Sequence, residues 1–168
     1  RSHFALIRNP LITSYGLDTS ALFGFINQIL KLIRKENPDF LVCAFDSKGK
    51  NFRHEMYDLY KANRPEMPFE LQNQLPHLWE SLDALRIPII KKKGFEADDI
   101  IGTLVAEAEK HGLLSYIVSG DKDFMQLINE KVFLYAPGSR KSPDPIIYDS
   151  KKVEERWGVP PQKIIDLL

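Results

Sequence analysis

The sequence has few of the residues that build disulfide frameworks, thiolate metal centres or membrane spans. It contains one cysteine and four histidines, so no disulfide can form within the chain, and the histidines are scattered without ligand spacing. No apolar run approaches the roughly 20 residues that a membrane-spanning helix needs. A Gly-rich phosphate loop and a Ser-His-Asp arrangement are also missing, which argues against hydrolysis through a covalent intermediate. Since the formal net charge is zero, any attraction to a polyanion must come from a local patch.

The remaining composition is that of a globular protein. With 168 residues, of which 43% are hydrophobic and 27% charged, the chain is expected to form a single domain, residues 1–168, with a substantial core. Cys43 lies in the apolar run FLVCAF and is predicted to be a buried hydrophobe, which fits a reducing compartment such as the cytoplasm. Because the chain begins at Arg1 rather than at Met, we expect it to be a fragment or a processed chain.

Helical and strand-like patterns alternate along the chain. Apolar spacing and capping residues (Thr19 or Ser20, and Ser150) predict helices over 19–36, 75–87, 97–110 and 150–158. Short apolar runs predict strands over 40–45, 88–91, 113–119, 131–136 and 146–149, the first of them buried on both faces. This alternation indicates an α/β fold with a mostly parallel central sheet and helices on both faces. In such folds the functional residues gather at the carboxyl ends of the strands.

Six carboxylates follow predicted strands, and we expect them to point into one crevice. They are Asp46, Glu96, Asp98, Asp99, Asp121 and Asp123. Held a few Å apart, such groups would repel one another or take up protons. Hard divalent cations relieve that conflict, and an all-oxygen ligand set suits Mg²⁺ or Mn²⁺. Two such ions roughly 4 Å apart are suited to the in-line hydrolysis of a phosphodiester.

Each acidic motif also has a purely structural explanation. Acidic residues in the first turn of a helix are favoured by the helix dipole, which would account for EADD. GDKD is an ordinary turn sequence, and Asp46 alone could be a loop residue. The position that the three motifs share at strand ends favours the metal site over these separate explanations.

A basic segment with interleaved tyrosines follows Asp46. Arg53, Tyr57 and Lys61 are spaced by four, and Arg64 follows three later, so a helix here would align them on one face. Cations with an aromatic ring between them suit a phosphate backbone and a stacked base. A solvated helix face with incidental tyrosines is the alternative. Lysines 91–93 are explained equally well as part of a DNA path or as protection of a strand edge.

Three motifs in order carry a family resemblance: FDSKGKNFRHEMYDLYKANRPEMP, GFEADDIIGTLVAEAEK and SGDKDFMQL. Over essentially its whole length the chain resembles the 5′-nuclease domains of bacterial DNA polymerase I, phage 5′ nucleases and flap endonucleases. The resemblance implies a PIN-like fold with a helical arch over about 47–70. It also implies a bacterial, nucleoid-associated enzyme of replication and repair that removes 5′ flaps and RNA primers from branched or nicked DNA. Two Mg²⁺ ions, replaceable by Mn²⁺, would be its cofactors.

The resemblance also implies roles for individual residues. The six carboxylates match the metal ligands of the family, and Lys61 and Arg64 match catalytic cations of the arch that stabilise charge on the scissile phosphate. Tyr60 would stack on a base. Arg53 would contact a phosphate near the base of the arch, with Tyr57 on the same predicted face, and Arg1 would contact the substrate.

The family pattern extends beyond both ends of this sequence. A first strand ending in Asp-Gly, a Gly-Asp-x-x-Asp segment and a helix–hairpin–helix element lie outside it, so we expect weak or absent activity of the 168-residue chain. The same motifs occur in nucleases with and without a linked polymerase domain, which leaves that partner open. The alternative functions are a non-catalytic DNA-binding module and a metal-dependent phosphohydrolase of small substrates.

Overall fold

The computed structural model describes residues 10–47, 49, 51–57, 60–62, 66–138 and 144–167. The chain divides into two compact units, Arg1–Glu96 and Ala97–Leu168. Each unit has its own small sheet and its own apolar core. The expectations of a single domain over residues 1–168 and of a helical arch over about 47–70 stay predictions.

Unit 1 begins with a long helix whose apolar residues recur at helical spacing. This helix, α1, spans Ser20–Glu36. Thr19, one of the two capping residues that the sequence predicts, occupies the N-cap position, but the side chain that accepts there is that of Asp18, whose Oδ1 accepts from the backbone N–H of Ser20 at 2.7 Å. The helix ends at Asn37, which adopts the left-handed conformation (φ 44°) that Asn tolerates better than most residues.

Two short parallel strands form the sheet of unit 1. Strand β1 spans Cys43–Ala44 and pairs with β2, Ile89–Ile90. Helices α2, α3 and α4 lie between them in sequence and span Phe52–Met56, Phe69–Gln72 and Leu75–Ala84. The prediction that the run 40–45 is buried on both faces was wrong, because Phe40 is 79% exposed and β1 has one partner strand, β2, among the described residues.

The core of unit 1 packs α1 and α4 against the sheet. Its buried members are Ile29, Cys43, Leu78, Leu82 and Ile87. Gln74 is also buried, and its Oε1 accepts from the backbone N–H groups of Ala21 and Leu22 at 2.8 and 3.1 Å. This side chain therefore satisfies two donors at the start of α1 that have no partner within the helix.

Unit 2 opens with helix α5, which spans Ala97–Lys110 as the sequence predicts. Strand β3, Ser115–Val118, pairs in parallel with β4, Val132–Ala136, and β4 pairs antiparallel with β5, Ile146–Tyr148. Two 3-10 helices span Lys122–Leu127 and Pro161–Asp166. Helix α6 spans Ser150–Trp157, and its N-cap is Asp149 rather than the predicted Ser150.

The apolar core of unit 2 lies between this sheet and its helices. The buried members are Ile117, Phe124, Met125, Ile128, Val132, Leu134, Tyr148, Val153 and Ile164. The helices and mostly parallel strand pairs confirm the predicted α/β class. None of the helices in the described ranges is long and apolar enough to cross a membrane.

Candidate metal centre and nucleic-acid interface

Asp46 and Glu96 lie on neighbouring segments of unit 1. Strands β1 and β2 run parallel, and the pairing continues past β1 because the Phe45 N–H donates to the Ile90 carbonyl at 3.0 Å. One residue beyond Asp46, the Ser47 hydroxyl donates to the carbonyl of Phe95 at 3.3 Å. Both carboxylates therefore follow strands that end at the same edge of the sheet, as the sequence pattern predicts.

Glu96 is the centre of a polar cluster that the basic segment supplies. Its Oε1 accepts from Asn51 Nδ2 at 2.7 Å and from Lys61 Nζ at 2.9 Å. Its Oε2 accepts from Lys61 Nζ at 2.9 Å and from the Tyr60 hydroxyl at 3.2 Å. The guanidinium of Arg53 lies 3.9 Å from the same oxygen. These five residues, 51, 53, 60, 61 and 96, are called the Glu96 cluster below.

Asn51 fixes the start of helix α2 beside this carboxylate. Its Oδ1 accepts from the backbone N–H of His54 at 3.2 Å, and His54 Nδ1 accepts in return from the Asn51 N–H at 3.3 Å. This reciprocal arrangement is a capping box. The backbone N–H of Phe52 also donates to the carbonyl of Gly94 at 3.1 Å, so α2 is tied to the loop that precedes Glu96.

The charges of the Glu96 cluster stabilise one another. Burial alone would raise the pKa of Glu96, but the hydrogen bond and the charge of Lys61, with help from Tyr60 and Arg53, hold that pKa below its ordinary value. Burial alone would lower the pKa of Lys61, but the hydrogen bonds and charge of Glu96, with help from Tyr60, raise it. Both groups are therefore in their charged forms at neutral pH.

The structure corrects the predicted helical face of the basic segment. Helix α2 ends at Met56, and Tyr57 is extended (φ −151°, ψ 105°) and 59% exposed. Lys61 lies in a turn with a left-handed backbone (φ 55°) and not four residues along the same helix. In this conformation the Tyr60 hydroxyl and the Lys61 ammonium both reach the Glu96 carboxylate. Arg1 and Arg64 lie outside the described residues.

The four acidic residues of unit 2 also follow the predicted pattern. Asp98 and Asp99 occupy the first turn of α5. Asp121 follows β3 and caps the next 3-10 helix, its Oδ1 accepting from the Asp123 N–H at 3.1 Å. Helix α5 contacts β3, and residues 111–114 connect the two elements. Gly102, one turn into α5, faces Leu127 of that 3-10 helix.

The chemistry of this donor set fits a hard divalent cation, because every candidate ligand supplies carboxylate oxygens. Within the described ranges, acidic, histidine and cysteine side chains form no group of three or more that could hold a metal ion. The joint ligation of metal ions by all six carboxylates therefore stays a prediction.

The sequence assigns lysines 91–93 either to a DNA path or to the protection of a strand edge. In the structure, two of these lysines contact aromatic rings. The Lys91 ammonium lies 2.8 Å from the centre of the Trp79 ring, and the Lys92 ammonium lies 5.5 Å from that of Phe95. These cation–π contacts stabilise the segment that directly follows β2. A DNA-path role for this run stays a prediction.

Asn51 is the site residue that the sequence analysis missed. It is buried, and it contacts a predicted metal ligand directly. A signal was present, because Asn at a helix start followed three residues later by a side chain that can accept a hydrogen bond is the pattern of a capping box.

The comparisons with known proteins agree with the predicted family. The model of the 5′-3′ exonuclease, N-terminal resolvase-like domain matches residues 1–158. DNA polymerase I of Caldicellulosiruptor bescii is 41% identical over 161 residues, which are 95% of this chain and 19% of that protein. The 5′-3′ exonuclease of Aquifex aeolicus is 39% identical over 168 residues, which are 100% of this chain and 56% of that protein.

A solved structure shares the fold. The bacteriophage T5 flap endonuclease, in a pseudo-enzyme-product complex with DNA and metal ions, has a TM-score of 0.59 at 22% identity, over 81% of this chain and 52% of that one. The chain thus spans only part of each protein that it matches. Because the family model covers most of the 168 residues, the chain belongs to the family of the 5′-3′ exonuclease N-terminal, resolvase-like domain.

Proposed function

We propose that the chain carries the catalytic part of a structure-specific 5′ nuclease. Its substrates would be 5′ flaps, nicked duplexes and RNA primers on DNA, whose phosphodiester bonds it would hydrolyse. The observation that carries this proposal is the direct contact of Lys61 and Tyr60 with Glu96, where β2 gives way to the acidic motif. A segment predicted to bind phosphate and a predicted metal ligand are thereby joined in one cluster.

Two Mg²⁺ ions, replaceable by Mn²⁺, would be held by the six carboxylates at residues 46, 96, 98, 99, 121 and 123. When bound, such ions activate a water nucleophile at neutral pH and stabilise the leaving oxygen. The carboxylates suit this role because they combine full negative charge with oxygen ligands, and Asp46, Asp98, Asp121 and Asp123 are exposed to solvent.

The basic segment would bind and orient the nucleic acid. Lys61 and Arg53 place positive charge beside Glu96, where a scissile phosphate would approach the metal ions. Lys61 would neutralise charge that develops on that phosphate. The exposed ring of Tyr57 and the ring of Tyr60 would stack on bases. Arg1 and Arg64 are proposed as further phosphate contacts, with Arg64 assisting Lys61 in catalysis.

The biological setting follows from the proposed substrate. The T5 neighbour is named a flap endonuclease and holds DNA and metal ions. A curated relative is a DNA polymerase I, of which the chain covers about a fifth. We therefore propose a linked polymerase domain as a partner, and replication and repair at the bacterial nucleoid, in the cytoplasm, as the setting.

The test is Mg²⁺-dependent cleavage of an end-labelled 5′-flap duplex. Two proteins are compared: the 168-residue chain, and a chimaera in which it replaces the matching segment of the Aquifex aeolicus exonuclease. Cleavage by either protein, lost on chelation and giving a 5′-phosphate and a 3′-hydroxyl, supports the proposal. Flap binding without cleavage by both would favour a DNA-binding module. Hydrolysis of nitrophenyl phosphate that DNA does not inhibit would favour a small-substrate phosphohydrolase.

A further inference from the structure

The Glu96 carboxylate already holds a cation, the ammonium of Lys61, on both of its oxygens. We propose that Lys61 is an internal counter-ion which a divalent metal ion displaces from Glu96, so that metal binding releases Lys61 to contact a DNA phosphate. The inference rests on the proposed function, because it takes Glu96 as a metal ligand. It adds an order of events, in which Lys61 becomes available only once the metal is bound.

The contacts around Glu96 leave little room for a further partner. The described residues supply at least four donor contacts to the carboxylate, one from Asn51, one from Tyr60 and two from Lys61, and the Arg53 guanidinium lies 3.9 Å from Oε2. An ionised carboxylate offers about four lone-pair positions. A metal ion can therefore ligate Glu96 only if one of these donors leaves.

Lys61 is the donor that a metal ion removes most readily. Asn51 is neutral, buried and fixed by the capping box at the start of α2. Tyr60 is also neutral, so a divalent ion does not repel it as it repels an ammonium group. The Arg53 guanidinium is charged as well, but at 3.9 Å it lies farther from the carboxylate than the Lys61 ammonium does at 2.9 Å. The Lys61 side chain is one-third exposed (33%) and is carried on a flexible stem, so that its ammonium can move into water or onto a phosphate.

The backbone of Lys61 indicates that its present position is a strained one. Its φ of 55° lies in the left-handed region, which is unfavourable for a residue with a long side chain. The residues beside it form a turn in which the Tyr60 N–H donates to the Tyr57 carbonyl at 3.0 Å. Loss of the Glu96 contact would remove the interaction that holds this conformation, so that displacement by a metal also relaxes the turn.

The experiment measures Mn²⁺ affinity by calorimetry for the 168-residue chain, for Lys61→Met and for Lys110→Met. Lys110 is the matched control, because its Nζ lies 2.9 Å from Glu107 in a surface pair and its loss changes the net charge equally. We expect Lys61→Met to bind Mn²⁺ about threefold to tenfold more tightly than the unmodified chain. Lys110→Met should stay within about twofold.

A second measurement needs no variant. In the unmodified chain, Mg²⁺ should shift the ¹⁵Nζ resonance of Lys61 towards that of a free lysine, while the resonance of Lys110 stays in place. If Mn²⁺ binds and Lys61→Met binds it no more tightly than Lys110→Met does, or if the Lys61 resonance does not move, the inference is overturned and the proposed nuclease function stands. If neither the chain nor its variants bind Mn²⁺, the inference fails together with the metal-dependent part of the proposed function.

Discussion

The ammonium of Lys61 lies 2.9 Å from each carboxylate oxygen of Glu96, although 35 residues separate the two in sequence. Their side chains are 33% and 14% exposed, so solvent screens the pair and its net contribution to stability is modest. The Lys61–Glu96 pair matters because of where it lies in the structure. It joins a basic, tyrosine-containing segment to a carboxylate in the loop that follows a parallel strand, and a phosphodiesterase needs phosphate contacts and metal ligands to meet in such a place.

Asn51→Asp should destabilise the protein by about 1–3 kcal/mol. Aspartate is as good an N-cap as asparagine, so helix α2 keeps its capping oxygen. The substitution replaces the amide that donates to Glu96 with a second carboxylate and leaves one acceptor position without its partner. Urea unfolding at neutral pH, followed by circular dichroism, measures the difference.

The matched control for this substitution is Asp149→Asn. Asp149 caps helix α6, where its Oδ1 accepts from the Lys152 N–H at 2.8 Å, and asparagine preserves that role. The free energy of unfolding should change by less than about 0.5 kcal/mol. Equal effects of the two substitutions would show that the contact between Asn51 and Glu96 contributes nothing.

Cys43 should react slowly with thiol reagents in the folded protein. It is buried between α1 and α4, and burial raises the pKa of its thiol, so that little of the reactive thiolate is present at neutral pH. We expect its reaction with an aromatic disulfide to be at least about 100-fold slower than in urea. Because Leu82 is fully buried in the same cluster, Leu82→Ala should accelerate the reaction. A fast reaction in the native chain would contradict the described core.

The sequence predicted the strand ends better than the contacts between distant segments. Helix α5 and the positions of Asp46, Asp98 and Asp121 follow from local apolar patterns and turn residues, which act over a few positions. The four-residue spacing of Arg53, Tyr57 and Lys61 favoured one continuous helix.

Long-range contacts outweighed that local spacing. Asn51 and Lys61 bond to Glu96 across 45 and 35 residues, and Lys61 is held in a conformation that no helix contains. Local patterns carry no information on such partners. The helix caps show the same limit on a smaller scale, because Asp18 and Asp149 cap α1 and α6 although hydroxyl residues beside them were equally suitable in sequence.

In a complete domain, such as the chimaera with the Aquifex aeolicus exonuclease, Asp121→Asn should abolish flap cleavage while DNA binding survives. The asparagine oxygen can still accept the Asp123 N–H, so the 3-10 helix keeps its start, while the charge needed for a metal ion is lost. We expect the single-turnover rate to fall at least about 100-fold. The loss of a residue that only supports a metal ligand already costs about 10-fold to 100-fold, and the loss of a ligand should cost no less. Asp98→Asn should behave in the same way.

The control for these two substitutions is Asp83→Asn, which makes the same change of charge on an exposed acid of helix α4. Its cleavage rate should equal that of the unmodified protein. Unchanged turnover in Asp121→Asn would remove that residue from the proposed metal ligands. Binding is measured separately by fluorescence anisotropy of a labelled flap duplex in Ca²⁺.

In the same chimaera, Lys61→Ala should slow cleavage far more than it weakens binding. A single contact to one phosphate contributes little to the affinity for a whole duplex, whereas an ammonium beside Glu96 would act on the phosphate whose charge changes in the transition state. We expect the single-turnover rate on a 5′-flap duplex to fall about 100-fold and the dissociation constant to rise less than about threefold. Lys110→Ala, which removes the cation of a surface pair of the same length, should change neither quantity. Equal losses of rate and affinity in Lys61→Ala would make Lys61 an ordinary backbone contact, and an unchanged rate would separate the Glu96 cluster from the chemistry altogether.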